Sequence, residues 1–212
     1  MIVARCMPWL ACAQLNSAGG IHSFVGTYGI NYGRIADNLP QPEMVVRLLK
    51  LAKIRNVKIY DAEHKVLDAF RGTGLNLVVA IPNEFLKDMA ANPAKAMDWL
   101  NENVQPYYPS TRIVGITVGN EVLGGADTGL AEALVGAVLN VHDALRMLRL
   151  DTKIELSTPH SEAVFANSYP PSACVFKDEL MVYLRPLAAA QLLLQDRRAL
   201  LRQRLPVPRL HE

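Results

Sequence analysis

Between residues 24 and 187 the chain alternates short apolar runs with amphipathic stretches. Phe24 to Tyr32, rich in β-branched and aromatic residues, predicts a strand. Pro42 to Arg55 predicts a helix, with Pro at a permitted early position and apolar residues at Val45, Val46, Leu48, Leu49 and Ala52. Val57 to Asp61 reads as a second strand, and His64 to Arg71 as a short helix stopped by Gly72 and Gly74. Asn76 to Pro82 is an apolar third strand. Phe85 to Val104 is helical and split at Pro93. Arg112 to Val122 is a fourth strand, Gly129 to Leu150 a long apolar helix, and Lys153 to Thr158 a fifth strand. A loop containing Pro170-Pro171 leads to a helix from about Asp178.

Near-continuous apolar strands separated by helices imply a parallel sheet covered on its outer side. The repeat of roughly 30 residues suits a (β/α)₈ barrel or a doubly wound sheet. Neither G-x-G-x-x-G nor G-x-x-x-x-G-K-[ST] occurs, which lowers the nucleotide-binding readings. Polar residues cluster just past the strand ends: Asn31 and Tyr32, Tyr60 and Asp61, Asn83 and Glu84, Asn120 and Glu121, and His160. In a barrel these positions share the C-terminal mouth, where active sites sit, whereas in an open sheet they spread along an edge. The barrel is the favoured reading: an α/β TIM barrel, incomplete, with about the first five βα units present.

Composition sharpens this picture in two places. Half of the 212 residues are hydrophobic, and no run of about 18 apolar residues is long enough for a membrane span. The net charge of +2 is too small for a dedicated nucleic-acid binder. Residues 188–212 carry five Arg against one Asp and one Glu, a net +3 that leaves −1 for everything before. The basic balance is therefore a property of the tail. Cys6, Cys12 and Cys174 show no metal spacing. Arg5, the apolar stretch Met7 to Ala13 and the small residues Ala11-Cys12-Ala13 make residues 1–23 an altered or signal-like segment, cleavable before Gln14.

The sharpest chemistry is Val118-Gly119-Asn120-Glu121-Val122 at the end of the fourth strand. A carboxyl at the end of so apolar a strand is expected to be partly desolvated, which suits a proton donor. Asn120 can both donate and accept, as a grip on a sugar hydroxyl requires. Tyr32 and Tyr60 offer flat apolar faces that can hold a pyranose ring. The plain alternative is that Glu121 caps the strand end or pairs with a Lys. The strand context and the other polar strand ends favour function.

Four motifs in register, Gly29-Ile30-Asn31-Tyr32-Gly33, Lys58-Ile59-Tyr60-Asp61, Val79-Ala80-Ile81-Pro82-Asn83-Glu84 and Val118-Gly119-Asn120-Glu121-Val122, resemble those of plant glycoside hydrolase family 17. The resemblance runs from about Phe24 to Leu187. It implies a TIM barrel and a retaining endo-hydrolase of β-1,3-glucans. Glu121 matches the family's proton donor, Asn120 its neighbour at a sugar hydroxyl, and Tyr32 a tyrosine at the cleft floor. The resemblance also implies a secreted or cell-wall protein acting as a monomer on β-1,3-glucan. No metal or other cofactor is implied, because carboxylate acid-base chemistry needs none. The family's nucleophile, a second Glu in a Glu-Thr-Gly-Trp-Pro-like motif, has no counterpart in these 212 residues. Glu84, His160 and Glu162 follow other strands, and none stands where that nucleophile comes from.

The segment 188–212 reads as non-homologous and out of frame. Back-translated and shifted by one base, it yields a peptide like the family's next helix end and sixth strand, with an N-A-Y-P motif. The frame change is placed near Leu187 to Ala190. The competing reading is an amphipathic basic helix using Leu192, Leu193, Leu200 and Leu201, cut short by Pro206 and Pro208. A barrel that stops after five strands leaves strand edges and apolar helix faces exposed, which predicts poor solubility. Three functions compete: hydrolysis by ancestry, glucan binding without turnover, and a sugar-phosphate or isomerase barrel, which the motifs make the weakest.

Overall fold

The computed structural model describes residues 29–189. The signal-like segment 1–23 and the tail from residue 190 lie outside the described residues. A five-stranded sheet runs in the order β1 (Gly29–Tyr32), β2 (Asn56–Ile59), β3 (Asn76–Ile81), β4 (Ile113–Val118) and β5 (Glu155–Ser157). Every neighbouring pair is parallel and sequential. That order is the start of a barrel wall: each strand is followed by a crossover and the next strand joins on the same side. The fold is an incomplete α/β barrel, with β1 and β5 as the sheet edges among the described residues.

The helices follow the sequence pattern closely. α1 (Pro42–Leu51) starts on Pro42, whose missing N–H costs nothing in a first turn. α2 (His64–Ala69) is short. Pro93 splits the next helical stretch as expected, into a 3₁₀ turn Asn83–Phe85, α3 (Leu86–Ala91) and α4 (Pro93–Asn103). Asn92 caps α4 by accepting from the Ala94 N–H at 3.0 Å. α5 (Thr128–Met147) is capped by Asp127, which accepts from the Leu130 N–H at 3.1 Å.

The core lies between the sheet and these helices. Val57 and Ile59 on β2, Leu77, Val79 and Ile81 on β3, and Ile116 and Val118 on β4 are almost fully buried. They meet Leu67, Phe70, Leu86, Leu100 and Leu134 from the helical layer. Each fully buried side chain of this size contributes about 1.5–3 kcal/mol. By strand alternation Asn56 and Lys58, Asn76, and Thr117 occupy the opposite, inner face. A register shift between Leu77 and Val78 leaves Val114 as the extra residue of β4, so that Ile116 and Val118 return to the helix side.

Three boundaries differ from the expectation. β4 ends at Val118 and not at Val122, because Gly119 has a φ of +70° and turns the chain out of the sheet. β5 covers only Glu155–Ser157. The expected loop around Pro170-Pro171 contains an antiparallel hairpin, β6 (Phe165–Asn167) and β7 (Val175–Phe176), joined by stacking of Phe165 on Phe176 at 5.1 Å. A 3₁₀ turn, Asp178–Leu180, then opens a helix over residues 181–189. No helix among the described residues is long and apolar enough to cross a membrane.

Candidate active site

The C-terminal end of β4 is held by tethers from both neighbouring strands. The Gly119 N–H donates to the Ile81 carbonyl at 2.9 Å. The Asn83 side chain, just past β3, grips the Asn120 backbone at both ends. Its Oδ1 accepts the Asn120 N–H at 2.7 Å, and its Nδ2 donates to the Asn120 carbonyl at 3.1 Å. The Glu121 N–H donates to the Pro159 carbonyl, past β5, at 3.0 Å.

The backbone between these tethers is unusual. Glu121 has a φ of +54°, a left-handed conformation that non-glycine residues seldom adopt. Such strain persists only where the surroundings hold it, and it concentrates at functional sites. Gly119 allows the close packing: a Cβ there would lie 2.8 Å from Val122 Cγ2 and 3.0 Å from both Asn83 Oδ1 and Leu86 Cδ1. The turn carries the Glu121 side chain into the open, where it is exposed. This corrects the expectation of a partly desolvated carboxyl, since the apolar strand stops three residues earlier.

Lys58, on the inner face of β2, joins the group from the other side. Only 6% of it is exposed. Its Nζ donates to Asn120 Oδ1 at 3.3 Å and lies 4.9 Å over the Tyr60 ring. Burial holds the Lys58 ammonium below the usual lysine pKa, partly offset by the negative charge of Glu121. Lys58, Tyr60, Asn120 and Glu121 thus form one cluster, steadied by Asn83.

Tyr32 is placed elsewhere. It pairs in register with Ile59, not with Lys58, and its ring belongs to the buried core at 8% exposure. Burial raises its hydroxyl pKa, with Arg34 opposing and Asp61 and Glu43 adding to the rise. Arg34 binds Asp61 and lies 3.8 Å from Glu63, so the first strand end is an ion-paired corner beside the cluster. Tyr60 is 41% exposed and open to a ligand.

The remaining rim acids and His160 take separate places. Glu84 is exposed on its 3₁₀ turn. Glu162 is exposed and receives a hydrogen bond from Ser168 Oγ at 3.4 Å. His160 is half-buried, with Nε2 3.3 Å from Thr158 Oγ1, and burial pushes its pKa down to about 4. It is neutral at ordinary pH. A concavity of about 380 Å³ near Thr152, Lys153 and Glu155 lies toward the start of β5, away from the strand-end cluster. Among the described residues no group of three or more His, Cys, Asp or Glu could hold a metal ion.

Sequence reasoning gave no role to Lys58 or Asn83. A lone charge inside Val57-Lys58-Ile59, in a strand covered on one side, was the available signal for the first. Asn83 was visible only as one more polar strand end.

The arrangement can hold a proton donor, an amide and an aromatic face together at the mouth of a parallel sheet. Comparison with known proteins agrees in kind. Residues 28–206 match the family described as glycosyl hydrolases family 17. Glucan endo-1,3-beta-glucosidase 10 of Arabidopsis thaliana is 46% identical over 163 residues, which are 77% of this chain and 38% of that protein. The glucan endo-1,3-beta-D-glucosidase of Olea europaea is 41% identical over 152 residues, 72% of this chain and 33% of that one. A solved β-1,3-glucanase and pollen allergen of Cryptomeria japonica superposes with a TM-score of 0.75 at 35% identity, over 81% of this chain and 53% of its own. The chain therefore spans less than two fifths of the two curated relatives.

Proposed function

The chain belongs to glycosyl hydrolases family 17, and from that premise we propose that its β4 rim is the acid/base half of a retaining β-1,3-glucan endohydrolase. In that mechanism Glu121 protonates the leaving glycosidic oxygen as the nucleophilic carboxylate bonds to the anomeric carbon, and then, as carboxylate, takes a proton from the water that displaces this carboxylate. Asn120 binds a sugar hydroxyl, and Tyr60 lies against a sugar ring. The observation that carries this reading is the strained, triply tethered Gly119-Asn120-Glu121 turn, which presents one exposed carboxylate beside one anchored amide.

A retaining mechanism needs a nucleophilic carboxylate about 5–5.5 Å from the acid. The family-like motif for it does not occur in these 212 residues, so on this reading they supply the glucan-binding rim and the acid/base but not the nucleophile. The substrate is β-1,3-glucan, as the relatives' names support, and the setting is the cell wall, as the family resemblance implies. The test measures retention on insoluble β-1,3-glucan against β-1,4-glucan, together with release of reducing ends. Selective retention without release is expected. Release of reducing ends that survives E121Q overturns the assignment of Glu121, and equal retention on both glucans overturns the substrate.

A further inference from the structure

We propose that Lys58 is a positioning residue that fixes which end of the Asn120 amide faces the cleft, so that Asn120 meets a sugar hydroxyl as a hydrogen-bond donor. This rests on the reading of Asn120 as a sugar-binding residue and adds the polarity of that contact. An asparagine amide can be turned either way, with its oxygen accepting or its nitrogen donating. An ammonium can only donate, so it pairs with the oxygen end alone. Lys58 Nζ lies 3.3 Å from Asn120 Oδ1, and the buried Lys58 stem holds it there.

The other partners leave that choice to Lys58. Asn83 engages the Asn120 backbone N–H and carbonyl, and so fixes the main chain without constraining the side-chain flip. The Tyr60 ring covers one side of the ammonium at 4.9 Å, and the negative charge of Glu121 favours its protonated form. With Oδ1 committed, the Nδ2 group, which has no protein partner among the described residues, is what Asn120 offers to a ligand. A sugar oxygen that accepts a hydrogen bond is thereby selected at this position.

The test compares the full chain with K58M and K58R by nuclear magnetic resonance, using a β-1,3-linked glucose tetrasaccharide as probe. Met keeps the apolar stem of the buried side chain and removes the ammonium, whose desolvation the fold then no longer carries. In K58M the Asn120 side-chain amide resonances are expected to move while its backbone amide, held by Asn83, stays in place. The dissociation constant is expected to rise about twofold, because an amide free to turn either way presents its donor end about half the time. K58R, which still only donates, is expected to keep both properties. Unchanged Asn120 side-chain resonances in K58M overturn the proposal, and so does an unchanged affinity. Should the unsubstituted chain fail to bind the tetrasaccharide, moved resonances in K58M still support the positioning role, and only the glucan reading falls.

Discussion

The Gly119 turn supports a prediction whose size follows from geometry. Replacing Gly119 by Ala adds one methyl at a φ of +70°, which costs about 1–2 kcal/mol for any L-residue. The added Cβ would also sit 2.8 Å from Val122 Cγ2 and 3.0 Å from Asn83 Oδ1 and Leu86 Cδ1. Overpacking of this kind costs about 1–3 kcal/mol. Together G119A should destabilise the turn by about 2–5 kcal/mol. Gly72 is the control: its φ is +66°, yet nothing lies within 4 Å of its would-be Cβ. G72A therefore carries only the conformational part. Native-state hydrogen exchange reads the difference locally, at the amides of residues 119, 120 and 121, which are bonded to Ile81, Asn83 and Pro159. At 1.4 kcal/mol per tenfold, G119A should speed their exchange by about 30-fold or more, and G72A should leave these three unchanged. Equal protection of residues 119–121 in G119A and the unsubstituted chain would refute the account of the turn.

Further outcomes follow from other contacts. N83A removes both hydrogen bonds to the Asn120 backbone and should cost about 1–3 kcal/mol, read as lost exchange protection of the Asn120 amide with the helix α5 amides unaffected. His160 has a folded pKa of about 4 against 6.5 unfolded, so its contribution is fully present above pH 6.5 and is lost as pH falls toward 4. The loss approaches about 3 kcal/mol, and H160Q should flatten that part of the stability profile when both proteins are unfolded by urea between pH 7 and pH 4.5. L134A, in the fully buried face of α5, should cost about 2–5 kcal/mol in the same assay, while L139A on its exposed face should cost far less.

The order of strands and helices was legible because β3 and β4 are apolar along most of their length and each helix carries its own period. Pro42 and Pro93 marked helix starts for a local steric reason that needs no tertiary context. The four motifs revealed the family and pointed to Asn120 and Glu121. What the sequence hid depends on partners distant along the chain. The β-bulge at Val114 appears only against β3. The left-handed backbone of Glu121 needs the tethers to Asn83 and Pro159. The burial of Tyr32 follows from its register with Ile59, which puts the ring on the helix side. Lys58 showed as a charge in a strand, but its commitment to Asn120 spans 62 residues.

The central claim is that β-1,3-glucan meets this chain at the β4 rim. The most direct measurement is a residue-by-residue titration of the ¹⁵N-labelled chain with a β-1,3-linked glucose tetrasaccharide. The account predicts saturable shifts centred on Lys58, Tyr60, Asn83, Asn120 and Glu121, abolished in N120A. Saturable shifts centred instead on Thr152, Lys153 and Glu155, or a response that persists unchanged in N120A, would contradict it.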